Sequence, residues 1–239
     1  MEVKWTIMDT TNYSPDAEYS KAFVYLNNQL SILYSQASIT FIFPLIAACC
    51  LALVLWDVAS RFYLCIWLTL IFAHSVVRYI LLWRFHRNEI KSNDADAWLN
   101  RFIMHVIISG GLWGAAGMLL IPYDNSIEFT LYNGLTILII CGLVSGALIS
   151  YSINFWVFIG YSFPALIPPA IYLMSLGDRY NSTFGGFILL YYFFISVAAS
   201  RMNKLFNRYM EIEHQQKELL FKYERLQVIY ADFRRHLKI

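Results

Sequence analysis

Six long apolar segments follow one another along most of the chain and are separated by short polar stretches. Charged residues are nearly absent inside them, and their hydrophobic periodicity is weak, as in helices that are apolar on most faces. About 20 mostly apolar residues suffice for a helix to cross a bilayer. We therefore predict six transmembrane helices, at residues 37–56, 62–83, 102–122, 129–151, 155–176 and 184–199.

The 36 residues before the first apolar segment are more polar but contain a helical pattern. Apolar side chains recur there every three or four positions, which predicts an amphipathic helix. Such a helix either lies on the inner membrane surface or packs under the bundle. The apolar positions are Tyr19, Ala22, Phe23, Leu26, Leu30 and Leu33.

Beyond residue 199 two sets of mostly apolar residues each repeat every seven positions, which is typical of a coiled coil. The segment 200–239 contains no glycine or proline, so we expect one helix that leaves the sixth span directly. We predict that it pairs as a parallel homodimer in the cytoplasm; folding back onto the bundle or the membrane is the alternative. The predicted seam comprises Leu205, Tyr209, Ile212, Gln216, Leu219, Tyr223, Leu226, Tyr230 and Phe233.

The composition agrees with an all-α membrane protein of three parts: an N-terminal segment at 1–36, a six-helix bundle at 37–199 and a coiled coil at 200–239. Only 14% of the residues are charged and 59% are hydrophobic, whereas soluble domains are roughly 25% charged. This composition argues against a soluble single domain, and it excludes a disordered chain and a fibrous protein. The net charge of +2 does not indicate nucleic-acid binding. The expected surroundings are therefore lipid.

The distribution of Lys and Arg predicts the orientation of the six spans. The loop between the second and third segments carries Arg84, Arg87, Lys91 and Arg101, and the tail carries many more basic residues. Loops on the other side contain few, of which Arg61 is one. Because basic residues concentrate on the cytoplasmic side, both termini are expected in the cytoplasm.

Three ionisable residues lie within the predicted spans, and such residues are functional candidates by default. His74 and Arg78 share one face of the second helix because they are four residues apart. His105 lies in the third helix. Core histidines with satisfied hydrogen bonds, and an arginine that bonds backbone carbonyls or reaches the interface, are the structural alternatives. With Trp113 and Tyr161, which lie beside glycine-rich and proline-rich segments, these residues form our candidate contacts for an apolar or amphipathic ligand.

Two histidines on neighbouring helices raise the question of a haem held between them. Counted from the cytoplasmic ends of the apolar segments, His74 is roughly ten residues deep and His105 three or four, which is a difference of roughly 10 Å. This difference argues against bis-histidine haem. No lysine lies in a span, which excludes a retinal Schiff base, and the four cysteines are not spaced as metal ligands. We therefore expect no cofactor and no metal.

Small residues and prolines mark the remaining special positions within the spans. Pro164, Pro168 and Pro169 lie in the fifth segment, where prolines kink helices and would form a hinge. Glycines four residues apart allow two helix backbones to approach closely. The glycines predicted to serve helix packing are Gly110, Gly114, Gly117, Gly142 and Gly146.

Four short segments, in this order and spacing, give the chain a family likeness. They are LLWRFHR at 81–87, SGGLWGAAGMLLIP at 109–122, GLVSGA at 142–147 and FPALIP at 163–168. Together with the helical tail, they resemble the six-helix integral membrane sensor module of bacterial sensor histidine kinases, diguanylate cyclases and cyclic-di-GMP phosphodiesterases.

This resemblance implies a sensory input unit in the bacterial inner membrane that passes a conformational change along its coiled coil to a cytoplasmic output. No catalytic motif is present in the chain, so we expect no enzymatic activity. Such modules are normally followed by an output domain, and none follows the heptads here. The sequence leaves open a truncated input region or a stand-alone protein. A small transporter or channel, and a scaffold that recruits a cytoplasmic partner through the coiled coil, are the alternative functions.

Overall fold

The computed structural model describes residues 26–36, 39–87, 94–124 and 126–236, and these residues are helical with short turns and no strand. The prediction of an all-α protein is confirmed over this part of the chain. Its helices are α1 (residues 26–36), α2 (Ile39–Val54), α3 (Arg61–Arg87), α4 (Ala95–Leu119), α5 (Ile127–Tyr151), α6 (Phe155–Ser175) and α7 (Arg179–His236).

Five of these helices, α3 to α7, are long and apolar enough to cross a membrane. They also expose large apolar side chains, such as Phe62, Leu138 and Phe187, on their outer faces. This surface suits a lipid environment. Helix α2 is shorter, with 16 residues and a length of about 24 Å. Helix-type bonds from the Leu55 amide to the Leu51 carbonyl and from the Ala59 amide to the Leu55 carbonyl continue its backbone beyond Val54.

Helices α4 and α6 are the most closely packed pair in the bundle because glycines of α4 lie directly against the backbone of α6. A Cβ on Gly110 would lie 2.2 Å from the Tyr161 carbonyl oxygen, and a Cβ on Gly114 would lie 2.1 Å from the Pro164 carbonyl oxygen. Gly117 packs less tightly, against the side chains of α5 and α6. Backbone contact of this kind is possible only without side chains between the helices.

The prolines of α6 belong to this same packing face. Proline at 168 has no N–H to bond the Pro164 carbonyl, which is four residues earlier. That carbonyl oxygen instead faces Gly114, no more than about 3.6 Å from its Cα, which is the range of a Cα–H···O contact. The ring of Pro169 contacts Gly117. Helix α6 continues through all three prolines, from Phe155 to Ser175, and a hinge at these positions stays a prediction.

The packing role that we predicted for Gly142 and Gly146 is wrong in this structure. Both glycines are exposed on α5, and a Cβ on either would meet no atom within 4 Å. Their GxxxG spacing is the same as that of Gly110 and Gly114, but spacing alone does not determine which side of a helix faces its neighbours. In α5 that side carries larger residues, among them Ile140 and Val144, which are fully buried.

The amphipathic helix predicted before the first span packs against the bundle where the structure describes it. Leu30, Leu33 and Tyr34 of α1 are fully buried. The Tyr34 ring stacks on Phe85 at 3.7 Å between centroids, and its hydroxyl donates to the Trp98 carbonyl at 3.3 Å. Burial raises the pKa of the Tyr34 hydroxyl. The earlier apolar positions of this pattern, Tyr19, Ala22 and Phe23, lie outside the described residues.

Helix α7 contains 58 residues and is about 87 Å long, so the tail continues the last apolar helix without a break. Ala199 and Phe206 pack against the bundle. The apolar seam residues from Leu205 to Tyr230 point away from the bundle, and their side chains are 47 to 65% exposed. The helix therefore has one face for its own bundle and another, unoccupied face with heptad spacing. Phe233 lies in this helix, but its side chain is outside the described part.

Candidate functional site

A polar pair interrupts the buried stripe of helix α3. Apolar residues at intervals of three or four positions face the interior of the bundle, and His74 and Arg78 occupy two steps of the same row. Arg78 is only 6% exposed. The buried members of the stripe are Leu64, Trp67, Ile71, Arg78, Leu82 and Phe85.

The imidazole rings of His74 and His105 lie side by side, with their centroids 5.5 Å apart. The expected difference of roughly 10 Å in depth is therefore wrong. Helix α4 begins at Ala95, about two turns before the apolar segment that starts at residue 102, so His105 is deeper than we counted. His105 lies ten residues after the start of α4, and His74 lies thirteen residues before the end of α3.

One nitrogen of each ring is buried without a hydrogen-bond partner: Nε2 of His74 and Nδ1 of His105. A buried polar atom without a partner is costly, and native proteins commonly explain one by a water, an ion or a functional role. The backbone of His105 also lies beside the His74 ring. Each of the two nitrogens retains the capacity to donate one hydrogen bond or to accept one. Among the described residues, no group of three or more His, Cys, Asp or Glu side chains is arranged to hold a metal ion.

Arg78 bonds across the bundle to the last residue of α5. Its Nη2 donates to the Tyr151 hydroxyl at 2.7 Å, and the guanidinium lies 5.8 Å from the centre of the Tyr151 ring. The Tyr151 ring packs edge-on against Tyr161 at 5.7 Å and against Phe102 at 6.0 Å. Arg78 is therefore held inside the bundle and does not extend to the interface, which was one of the alternatives for it.

Trp113 is remote from the two histidines and belongs to a different cluster. It lies eight residues beyond His105, about 12 Å further along α4. There it is buried edge-on against Trp67, whose indole nitrogen donates to the Leu112 carbonyl at 2.8 Å. Four of our five candidate contacts thus lie around the α3–α4–α6 region: His74, His105, Arg78 and Tyr161. The fifth, Trp113, packs between α3 and α4 nearer the end of the bundle where α3 begins.

The turn between α5 and α6 connects this region to the tail helix. Tyr151 is followed directly by Ser152 and Ile153, which are both fully buried. Asn203 of α7 donates through Nδ2 to the Ser152 carbonyl at 3.0 Å and to the Ile153 carbonyl at 2.7 Å. Gln29 of α1 donates to the same Ile153 carbonyl at 3.4 Å. Sequence reasoning missed Tyr151 and Asn203, because each acts through a partner more than 45 residues away.

The opposite end of the bundle has a cavity of about 380 Å³ between the α4–α5 and α6–α7 connections. Two carboxylates line it, and both are engaged by neighbouring residues. Hydrogen bonds from the Ser126 side chain and amide lower the pKa of Asp124. The Asn181 amide donates to Asp178 at 2.8 Å, which lowers the pKa of Asp178 at the start of α7.

Comparison with known proteins gives no match, since no family model, curated protein or solved structure is significantly similar to the chain. The class of protein is therefore defined by its own architecture. Over the described residues it is an all-helical protein with five apolar helices of membrane-spanning length and an internal cluster of histidine, arginine and tyrosine side chains.

Proposed function

We propose that this chain is the membrane-embedded sensory input module of a bacterial signalling protein, located in the inner membrane with both termini in the cytoplasm. An amphipathic ligand or a change in the membrane would act on the bundle, and a dimeric coiled coil would pass the change to a cytoplasmic output. The observation that carries this proposal is helix α7. It packs against the bundle on one face and continues beyond it with an exposed heptad seam on another.

The sixth span of the proposed module is α2. Tyr34 of α1 packs on Phe85 and Trp98, which lie beside the α3–α4 connection, so the chain reaches α2 from that end of the bundle. Helix α3 has 27 residues, so its first residue, Arg61, lies at the opposite end of the bundle from the α3–α4 connection. These positions support a path in which the segment that includes α2 crosses the bundle between its two ends. A span shorter than the bilayer core is accommodated by local thinning of the membrane.

Charge and the same contacts support the proposed orientation. The α3–α4 connection is rich in Lys and Arg, and α1 packs beside it. The α5–α6 turn and the beginning of the tail meet through Asn203 and Ile153, and Gln29 of α1 bonds to this turn as well. These contacts support a common location for α1, both connections and the tail, which the positive-inside rule assigns to the cytoplasm.

The proposed partner of the tail is a second copy of this chain. The seam residues are exposed along the full described length of the tail, and leucines occupy d positions, as in parallel dimers. Gln216 is the polar a residue, which would fix the register of the pair. Because the bundle contacts a different face of α7, pairing leaves the contacts of Ala199 and Phe206 intact.

The proposed ligand contacts are His74 and His105, with Arg78 one turn from His74 on α3 and Tyr161 linked to Arg78 through Tyr151. The two unpartnered ring nitrogens would bond the polar group of the ligand, and the surrounding apolar side chains would hold its hydrocarbon part. An amphipathic molecule that partitions into the membrane meets both requirements. The position between α3 and α4, where both histidines are half-buried, supports entry from the lipid side.

The oligomeric state of the full chain in detergent tests the output half of this proposal. Leu219 and Leu220 are adjacent, are 65% and 61% exposed, and differ in that only Leu219 is in the seam. We expect L219E to convert the dimer to a monomer and L220E to leave the dimer intact, as measured by light scattering during size-exclusion chromatography. A monomeric unmodified chain, or equal effects of the two variants, would contradict the proposal.

Native mass spectrometry of the chain released from its host membrane tests the input half. We expect a lipid-soluble adduct on the unmodified protein and its loss in H74A and in H105A. H86A is the matched control, because His86 lies on α3 outside the cluster and bonds the Leu82 carbonyl of its own helix. Retention of the adduct in H74A and H105A would remove the two histidines from the ligand site.

A further inference from the structure

A polar contact of unusual form joins the start of the tail to the bundle. The amide of Asn203 reaches two successive carbonyls, those of Ser152 and Ile153, at 3.0 and 2.7 Å. These carbonyls follow the end of α5, where backbone acceptors have no partner within the helix. Asn203 therefore completes the end of α5 from another helix, at the position where α7 becomes the tail.

Tyr151 directly precedes this pair of carbonyls. It belongs to what we call the intramembrane cluster, which comprises His74, Arg78, His105, Tyr151 and Tyr161. Tyr151 accepts the 2.7 Å hydrogen bond from Arg78, and its ring contacts Tyr161 and Phe102. Tyr151 and Ser152 are covalent neighbours, so a displacement of the Tyr151 ring must be absorbed within the turn or be passed to Ser152 and Ile153. Both residues of the turn are fully buried, which leaves little room for absorption.

We propose that Asn203 is the positioning residue that couples the intramembrane cluster to the tail. By bonding the Ser152 and Ile153 carbonyls, it makes the position of α7 depend on Tyr151 and, through Tyr151, on Arg78. The proposal rests on the sensory function proposed above, and it identifies the point at which that function passes from the bundle to the output helix.

Hydrogen–deuterium exchange of residues 200–213 in the full chain, without ligand, tests this coupling. Y151F removes the acceptor of the Arg78 bond and keeps the ring. We expect it to speed exchange in this segment about fivefold, as for the loss of one hydrogen bond. N203L removes both donors at similar volume and should raise exchange at least as much. In the double variant, Y151F should add almost nothing, because the connection is already broken.

Three further variants distinguish coupling from general loosening of the tail. K204A changes the exposed neighbour of Asn203 and should leave both the exchange and the effect of Y151F unchanged. N203Q keeps the amide and should restore part of the protection. N203D, which keeps the size and loses the donors, replaces N203L if the leucine variant does not fold.

Additive effects of Y151F and N203L would overturn the proposal, and so would a Y151F variant with normal exchange in the tail. The experiment requires neither a ligand nor a dimer. Its failure is therefore distinguishable from failure of the sensory proposal, which L219E and the histidine variants test separately.

Discussion

Replacement of Gly114 by alanine is the sharpest test of the packing between α4 and α6. The new methyl group would lie 2.1 Å from the Pro164 carbonyl oxygen, whereas ordinary contact begins at 3.4 Å. The two backbones would have to separate locally by about 1.3 Å, because the obstructing atom belongs to a helix backbone and not to a flexible side chain. Overpacking of a tight core typically costs about 1 to 3 kcal/mol, and the rigid obstacle favours the upper end.

The matched control lies in the same helix. Gly111 faces open space, with no atom within 4 Å of the position that a methyl group would take, so alanine is accommodated there without any displacement. Alanine is the better helix former by up to about 1 kcal/mol. G114A and G111A are thus the same chemical change with opposite expected signs.

The free energy of unfolding in mixed micelles, followed by tryptophan fluorescence during denaturant titration, is the appropriate measurement. We expect G114A to be destabilised by about 3 kcal/mol, and G111A to be neutral or slightly more stable. Equal destabilisation of the two variants would refute the reasoning, since it would show that the effect belongs to glycine in a membrane helix and not to the contact with α6.

Three other outcomes follow from contacts outside the histidine cluster. W67F should cost about 1 kcal/mol in the same titration, because it loses the indole donor to the Leu112 carbonyl and keeps an aromatic ring; an unchanged stability would discount that 2.8 Å bond. Y34F should be nearly neutral, since its hydroxyl bond is long, whereas Y34A should lose about 3 to 5 kcal/mol through the buried ring; similar losses in both would contradict the dominance of stacking. The backbone amide of Asn181 donates to the Asp178 carboxylate, and the pKa of Asp178 is lowered. This bond therefore stabilises the start of α7 fully at pH values above the ordinary aspartate pKa of about 3.9. The stabilisation is lost as the pH falls through the lowered pKa. Amide exchange in that turn, corrected for intrinsic rates, should rise at acidic pH in the unmodified chain and not in D178N; the same rise in both would exclude this carboxylate as the cause.

The helices were predictable from the sequence because their signals are local. Apolar runs, the heptads after residue 199 and the prolines near 164 each report on a stretch of chain by itself. The start of α4 was not predictable in this way, since its first two turns, from Ala95, mix charged, polar and aromatic residues and do not extend the apolar run. That error alone moved His105 away from His74 in our depth estimate.

The partners across the bundle were not predictable, because no local pattern encodes them. Arg78 was an evident candidate, but its acceptor, Tyr151, is 73 residues away and looks like any aromatic residue at a helix end. Gly114 and Gly146 occupy similar small-residue motifs, yet only Gly114 meets a neighbouring backbone. Rotation of each helix about its own axis decides these contacts, and weak amphipathicity in apolar helices leaves that rotation undetermined in the sequence.

The unbroken length of α7 has a mechanical consequence. From Asn203 to His236 the helix extends about 50 Å, and no glycine or proline weakens it over that distance. A tilt of about 1° at Asn203 displaces the far end by about 0.9 Å, and a tilt of about 5° displaces it by about 4 Å. A tilt of the helix where Asn203 meets the α5–α6 turn is thus amplified along its length. Movements too small to disturb the packing of the bundle become shifts at the far end that are comparable to the spacing between side chains.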